Sequence, residues 1–352
     1  MNVIKNSKVR ESNIELLRII AMFMVLLVHV DFFALKAPSV YDIQNNAVDS
    51  VLRVFFQSLS IACVDIFVFI SGWFGIKPKL KGFLNFIFQC LFFLIGLYVV
   101  ALFLGTAELS KEGLLGCIAA TPLNWFIKAY LLLYIISPVL NAFVNNASKE
   151  TFRNVLLGFY AFQFLYGWIF SQATDYINGG YSTISFMGLY LLARYVSIYK
   201  PSLFNVKPAF SFLIVSLVVS FVTFCYVVPP YIDFWHTGLG LSFLDYISPT
   251  TLLITVYMVQ GFSKLKIHSS IINWIAASSF AVFLLHTNPN VLWHYVALFQ
   301  GIHVHYPGVN YWVISIPVLI LIFLIAVIID QLRKIVWKQF WNFTEMKFIK
   351  EE

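Results

Sequence analysis

The stretch that most constrains this chain is Glu15 to Asp31, ELLRIIAMFMVLLVHVD, which is apolar over a length able to cross a bilayer yet contains Arg18 and His29. Ionisable side chains are costly inside a lipid-embedded helix and indicate function there. The eleven-residue spacing from 18 to 29 returns to within about 20° of the same helix face and separates the two residues by about 16 Å. Glu15, three residues before Arg18, lies on that stripe too and is placed to pair with it. One face of this helix therefore presents a guanidinium at one depth and an imidazole at another.

Apolar segments of this kind recur along the whole chain. Hydrophobic residues make up 60% of it and charged residues 11%, and the mean hydropathy is +0.84. An ordinary soluble domain does not need so many apolar residues to form its core. The fold class is therefore predicted to be an all-α integral membrane protein. The net charge of +7 is typical of basic cytoplasmic loops, and a nucleic-acid partner is not expected.

Ten apolar runs of helical length predict a bundle of about ten transmembrane helices. The runs are 14–35, 54–76, 83–104, 123–143, 154–171, 184–199, 209–230, 239–262, 271–290 and 311–329. They predict a transmembrane domain over residues 1–330 and a basic amphipathic tail over residues 331–352, lying along the inner leaflet. The segment between Leu35 and Arg53 is polar and is expected to be an external loop, which either covers a cavity or merely links two helices.

Lysine and arginine residues divide unevenly between the two sides of this predicted bundle. One side holds only Lys36, Arg53 and Lys111. The other side holds Lys5, Lys8, Arg10, Lys77, Lys79, Lys81, Lys149, Arg153, Lys200, Lys207, Lys264, Lys266, Arg333, Lys334, Lys338, Lys347 and Lys350. Since basic loops are retained in the cytoplasm, both termini are predicted to be cytoplasmic, in a plasma membrane such as a bacterial inner membrane.

Three side chains in apolar runs, one of them His29, are candidates for chemistry. A neutral histidine such as His29 either acts as a general base or merely hydrogen-bonds a neighbouring helix. Asp65, at a similar depth, either orients that imidazole or faces a water-filled pocket or another helix. Ser71 and Gly72 form a small pair that permits close helix approach, and nothing marks Ser71 as an activated nucleophile.

No metal site is expected from the sequence. The four cysteines are scattered without CxxC spacing. His294, His303 and His305 lie in or beside an external loop, without acidic or thiol ligands clustered next to them.

The first two apolar runs resemble the membrane acyltransferase 3 family, whose members O-acylate carbohydrates. The first helix of that family carries an acidic residue, an Arg three positions later, and a His after ten intervening residues. Glu15, Arg18 and His29 match this pattern. The second helix of the family matches here at Val64, Asp65, Phe67, Ser71 and Gly72, while Val68 and Trp73 depart from its usual residues.

Two looser matches follow in the same order along the chain. NWFIKAYLLLYIISPVLN, Asn124 to Asn141, is similar to a Trp-led helix of the family and contains Trp125. AVFLLHTNP, Ala281 to Pro289, is similar to a late helix that carries a histidine, here His286. The resemblance thus extends from Glu15 to Pro289.

The resemblance implies an enzyme, an acyl-CoA-dependent O-acetyltransferase that moves an acetyl or other short acyl group to a sugar hydroxyl. Acetyl-CoA or another acyl-CoA would be the donor substrate, with no permanently bound cofactor. The other expected partners are a glycan or lipid-linked saccharide acceptor and membrane lipids, and the sequence is equally compatible with a monomer and a homo-oligomer. Some relatives append a soluble domain that completes transfer; without it, transfer would finish in the membrane domain or require a partner.

Residues and resemblance together give one mechanistic hypothesis. Arg18 would hold the polar arm or phosphates of the thioester. Lys77 and Arg194, on the same side, either add charge for the nucleotide or merely belong to the basic cytoplasmic side of the bundle. His29 would deprotonate the acceptor hydroxyl while Ser71 or Trp125 meets the developing oxyanion. His286 would be a second catalytic residue, a substrate contact or a packing hydrogen bond. The hypothesis needs a connected space between Arg18 and His29; packed aromatic side chains between them would count against it.

Two other functions compete with acyl transfer. A transporter or flippase for polysaccharide-related substrates would also need a basic bundle with buried ionisable residues. Transporters often contain internal repeats, yet the spacing of Arg18 and His29 is not repeated, because Ile275 stands eleven residues before His286. A sensor or scaffold without catalysis is disfavoured by the intact set of Glu15, Arg18 and His29.

Overall fold

The computed structural model describes residues 11–170, 176–232 and 238–348, and within these ranges the chain is helical without strands. Lys5, Lys8, Arg10 and Lys350 of the predicted charge asymmetry lie outside the described residues. The α-helices are α1 (Ser12–Val30), α2 (Phe32–Leu35), α3 (Val40–Asn45), α4 (Ala47–Ser60), α5 (Cys63–Phe74), α6 (Leu80–Phe103), α7 (Lys111–Cys117), α8 (Trp125–Asn146), α9 (Lys149–Phe162), α10 (Thr183–Tyr199), α11 (Pro208–Val227), α12 (Pro229–Ile232), α13 (Gly238–Ser242), α14 (Pro249–Ser263), α15 (Ser270–Ala276), α16 (Ser279–His286), α17 (Pro289–His305) and α18 (Val309–Phe348). A π-helix spans Gln163–Ile169, and short 3-10 helices span Pro122–Asn124 and Asn178–Gly180.

The described residues contain six helical segments long and apolar enough to cross a membrane, or seven if a bent pair counts as one span. The chain is thus a multi-pass membrane protein. All ten predicted runs contain helix, but α9, α10 and α14 have only 14, 17 and 15 residues. The count of ten spans and the cytoplasmic position of both termini stay predictions.

The predicted external loop between Leu35 and Arg53 is largely helical, which corrects the sequence interpretation. Ser39 caps α3 through reciprocal hydrogen bonds with Asp42, and α4 already begins at Ala47. The prediction rested on polar residues between Asp42 and Asp49, which belong to α3 and the start of α4 or lie between them. The buried polar residues Ser50, Arg53 and Gln57, which recur at helical spacing, mark the inner face of α4.

Helix α18 runs for 40 residues and crosses the predicted domain boundary at residue 330 without a break. Arg333, just beyond that boundary, is 2% exposed and donates hydrogen bonds to Asp330 Oδ1 (2.7 Å) and Asn85 Oδ1 (2.9 Å). The beginning of the predicted tail therefore packs against α6. The division into a membrane domain and a tail stays a prediction.

Helix α1 lies in the core, beside α4, α5, α14, α15 and α16. It begins next to α15, where Ser12 and Ser269 exchange hydrogen bonds, and ends next to α16, so it runs parallel to that broken helix. The chain then bends by 85° into α17. Tyr295 of α17 and Tyr311 of α18 donate to the carbonyls of Leu26 (3.0 Å) and Val30 (2.6 Å). These bonds fix the end of α1 that carries His29.

Close packing around α5 completes the frame of the site. A Cβ atom at Gly72 would lie 2.6 Å from the carbonyl oxygen of Tyr190 in α10, so glycine is needed for this approach. This confirms the close helix approach predicted at Ser71 and Gly72. Gly75, with φ of 75°, then ends α5 in a conformation that favours glycine.

Candidate active site

Two histidines meet where α1 and α16 end. Nδ1 of His29 lies 2.8 Å from the carbonyl oxygen of Val25, and Nδ1 of His286 lies 2.5 Å from that of Val282. Because a carbonyl only accepts, both Nδ1 atoms carry hydrogen in this assignment. Nε2 of His286 lies 3.3 Å from Nδ1 of His29 and therefore acts as the acceptor. The arrangement leaves Nε2 of His29 with a free lone pair.

His29 lines a cavity of about 500 Å³, which we call the His29 cavity. Gln57, Trp125, Tyr181 and Tyr246 also line it, and the rest of its wall is mostly apolar. Burial raises the pKa of the Tyr181 hydroxyl above its ordinary value, so this group remains a neutral donor. The volume lies in the range of small-molecule sites.

Arg18 lines a second cavity of about 290 Å³, the Arg18 cavity, between α1, α5, α6, α8 and α15–α16. Its guanidinium Nη1 lies 2.8 Å from Glu15 Oε1, which confirms the predicted pair. The other polar side chains that line this cavity are Ser71, Asn85, Gln89, Tyr130 and Ser279. A cation and several amide and hydroxyl groups thus share one space.

Three phenylalanine rings lie between the two cavities, and we call them the phenylalanine wall. Phe126 and Phe280 line the Arg18 cavity, whereas Phe283 lines the His29 cavity. The ring centroids of Phe126 and Phe283 are 5.2 Å apart, and those of Phe280 and Phe283 are 5.8 Å apart. The connected space expected between Arg18 and His29 is therefore interrupted by aromatic packing, so a thioester arm reaches His29 only if these rings move.

Comparison with known families decides which class of protein carries this site. A family model described as an acyltransferase domain, Acyl_transf_3, matches residues 11–331, nearly the whole chain. The chain belongs to the acyltransferase 3 family. It is therefore a membrane acyltransferase, as the sequence resemblance predicted. Neither a curated protein nor a solved structure matches the chain.

The predicted site residues of this acyltransferase fall into two groups. Trp125 and His286 are brought to His29, whereas Ser71 lines the Arg18 cavity. The Ser71 hydroxyl lies 3.0 Å from both the Phe67 carbonyl oxygen and the Tyr130 hydroxyl. Ser71 is thus a neighbour of Arg18, and the oxyanion role proposed for it beside His29 has no support from this placement.

Asp65 does not reach the imidazole in the part of the acyltransferase that the structure describes. It is 3% exposed in α5, but the hydrogen-bonding partners of His29 are Val25 and His286. His286 therefore holds the position that the sequence interpretation gave to Asp65. The helical rise along α5 predicts the depth of Asp65 in the membrane, but it does not predict which neighbouring helix the side chain faces.

Lys77 and Arg194 lie away from both cavities. Lys77 is exposed beyond the end of α5. Arg194 Nη1 donates to the Trp73 carbonyl oxygen (3.4 Å) and lies beside Gly75, where the chain leaves α5. Neither residue lines the Arg18 cavity, so their donor-binding role stays a prediction.

Sequence reasoning missed a charged cluster at the end of α1. Arg53 Nε donates to Asp31 Oδ1 (2.9 Å), and its Nη1 lies 4.0 Å from Asp49 Oδ2. His303 Nε2 lies 3.1 Å from Asp49 Oδ2, so an acidic group does lie beside one of the external histidines. Among the described residues no group of three ligating side chains is close enough to hold a metal ion. If residues 47–60 had been interpreted as a helix, its periodicity would have placed Arg53 on the face buried in the protein.

Proposed function

We propose that this acyltransferase moves an acetyl or other short acyl group from acyl-CoA to a sugar hydroxyl of a cell-surface or lipid-linked polysaccharide, in a bacterial inner membrane. The observation that carries the proposal is the geometry of His29. Its Nδ1 hydrogen is held by Val25 and His286, while its Nε2 keeps a lone pair beside a cavity of about 500 Å³. A neutral imidazole held in this way is suited to general-base catalysis.

In this mechanism His29 Nε2 takes the proton of the acceptor hydroxyl as its oxygen attacks the thioester carbonyl carbon. The carbon–sulfur bond then breaks, and the leaving thiolate recovers the proton from the imidazolium. The indole N–H of Trp125, which lines the same cavity, is the candidate donor to the oxyanion. His286 Nε2, 3.3 Å from His29 Nδ1, would accept the hydrogen bond of the imidazolium and so stabilise its positive charge.

The donor would enter on the side of Arg18. The guanidinium is paired with Glu15 and 30% exposed, so it keeps donor capacity for a phosphate or amide oxygen of acyl-CoA. The thioester arm would then part the phenylalanine wall to reach the His29 cavity. Both substrates would then meet in the His29 cavity.

Membranes that contain the protein should be incubated with labelled acetyl-CoA to test the proposal. We expect label in the glycan fraction, and a polysaccharide transporter or flippase, the alternative function, would leave the glycan unlabelled. Membranes from cells that lack the protein are the control. Absence of protein-dependent label in any glycan or lipid-linked saccharide would contradict the proposed reaction.

We expect Arg18→Gln to raise the KM for acetyl-CoA about tenfold or more, because a hydrogen bond to a charged group contributes about 1.5–3 kcal/mol. Arg18→Lys keeps the charge beside Glu15 and should have a smaller effect. Steady-state kinetics at varied acetyl-CoA measure both. Arg153→Gln changes an exposed arginine and is the control. An unchanged KM in a folded Arg18→Gln protein would remove Arg18 from donor binding.

We expect His286→Leu to lower kcat about 10–100-fold with little change in either KM, because the imidazole of His29 loses the group that helps to orient it. His286→Gln offers an amide oxygen as acceptor and should restore part of kcat. A purely structural role would lower protein yield without this rescue. Equal kcat values for the Leu and Gln variants would contradict a positioning role.

A further inference from the structure

One polar side chain in the His29 cavity has no role in the mechanism above. Gln57 lies on the buried face of α4 and is 5% exposed. Its Oε1 atom is buried and has no hydrogen-bond partner among the described residues. A buried amide oxygen without a partner costs about 1–3 kcal/mol, a cost that a hydroxyl group donating to it would remove.

Two neighbouring hydroxyl groups already have hydrogen-bond partners and do not satisfy the Gln57 amide. The hydroxyl of Thr287, which also lines the cavity, donates to the Phe283 carbonyl oxygen (2.7 Å). Ser58, next to Gln57 in α4, donates to the Val54 carbonyl oxygen (2.7 Å). Gln57 is thus a polar group with unused hydrogen-bonding capacity at the edge of the space that His29 lines.

Aromatic rings form another part of the same wall. The ring centroids of Trp125 and Tyr181 are 4.6 Å apart, and those of Tyr181 and Tyr246 are 5.0 Å apart. All three residues line the His29 cavity. Aromatic faces pack well against the C–H faces of a sugar ring, whose hydroxyl groups point outward at its edge.

The charge of the cavity narrows the class of ligand. The described residues that line it include His29 but no Asp, Glu, Lys or Arg. A phosphate or carboxylate buried there would lack a cation, whereas neutral hydroxyl groups need only donors and acceptors. The chemistry of the wall therefore fits an uncharged sugar ring.

We propose that the His29 cavity holds an uncharged sugar ring of the acceptor, packed against the aromatic residues Trp125, Tyr181 and Tyr246, with the Gln57 amide bonded to a hydroxyl near the one that is acylated. Gln57 is then a specificity-determining residue. This inference rests on the proposed function. A site built to bond a substrate hydroxyl discriminates strongly against acceptors that lack it, because its own polar group is left unpaired.

The test uses the full-length protein in liposomes, labelled acetyl-CoA, and glycan extracted from cells that lack the protein. Gln57→Leu removes the amide at similar volume, and it also removes an unpartnered buried oxygen, so the variant should fold. Ser58→Ala, one residue away on α4, removes a hydroxyl that is satisfied within its own helix and is the matched control.

We expect Gln57→Leu to raise the KM for the glycan tenfold or more, while the KM for acetyl-CoA stays within twofold of wild type. Ser58→Ala should leave both values unchanged. An unchanged KM for the glycan in Gln57→Leu would overturn the inference, and so would a parallel rise in both KM values. If wild type itself labels no glycan, the proposed function fails instead, which distinguishes the two failures.

Discussion

His29→Ala is expected to lower acyl transfer about 10²–10⁴-fold, the contribution of a general base. The imidazole is the candidate proton acceptor in the His29 cavity, and alanine leaves the acceptor hydroxyl without a base. Labelled acetyl-CoA in membranes of equal protein content measures the loss. The protein should remain folded because the end of α1 is held by Tyr295 and Tyr311, which bond its backbone carbonyls rather than the imidazole.

His305→Ala is the control for this experiment. His305 is exposed near the end of α17, and its Nδ1 contacts only the Gly301 carbonyl oxygen at 2.8 Å among the described hydrogen bonds. It should transfer acyl groups at the wild-type rate. Full product formation by a folded His29→Ala protein would remove the base from the mechanism, and the acyltransferase would then need another group to accept the proton.

Arg53→Met is expected to destabilise the protein by about 3–5 kcal/mol, because it leaves the Asp31 carboxylate buried without its counter-charge. Asp31 is 0% exposed and Arg53 is 4% exposed, and the guanidinium also donates to the Lys36 carbonyl oxygen. The pair joins the end of α1 to α4, so its loss should loosen the wall of the His29 cavity. Denaturant unfolding of the purified protein in detergent measures the change in the free energy of unfolding.

Two further variants separate loss of the pair from loss of the arginine side chain itself. The double variant Asp31→Leu, Arg53→Met removes both charges and should recover most of the lost stability, because neither ion is then stranded. Arg153→Met replaces an exposed arginine and should change the free energy of unfolding by less than about 0.5 kcal/mol. A double variant as unstable as Arg53→Met would show that the arginine contributes through packing.

Contacts between residues of the same helix were predictable from the sequence, because helical periodicity alone determines them. Glu15 and Arg18 are three residues apart, and one helix suffices to bring them together at 2.8 Å. The membrane class followed from the recurrence of apolar runs. The family followed from Glu15, Arg18 and His29 together with the run around Asp65, and the match over residues 11–331 confirms it.

What the sequence did not predict depends on how different helices face one another. His286 and His29 are 257 residues apart in the sequence. Only the packing of α16 beside α1 brings Nε2 of His286 to 3.3 Å from Nδ1 of His29. Arg53 was assigned to a loop because the segment before it, from Asp42 to Asp49, is polar, although α4 buries it against Asp31. The separation of Arg18 from His29 by aromatic rings likewise arises from α8 and α16, whose side-chain directions no spacing rule gives.

The phenylalanine wall has a consequence for the membrane itself. If two cavities inside a membrane protein joined into a continuous pore, water and ions would gain a path through it. Phe126, Phe280 and Phe283 keep an apolar constriction between them, and such constrictions block water and ions by dewetting. In the proposed reaction the rings part only for the thioester arm, and otherwise their apolar packing holds back protons and salt. In the proposed reaction, the acyl group would therefore pass this constriction without opening a path for ions.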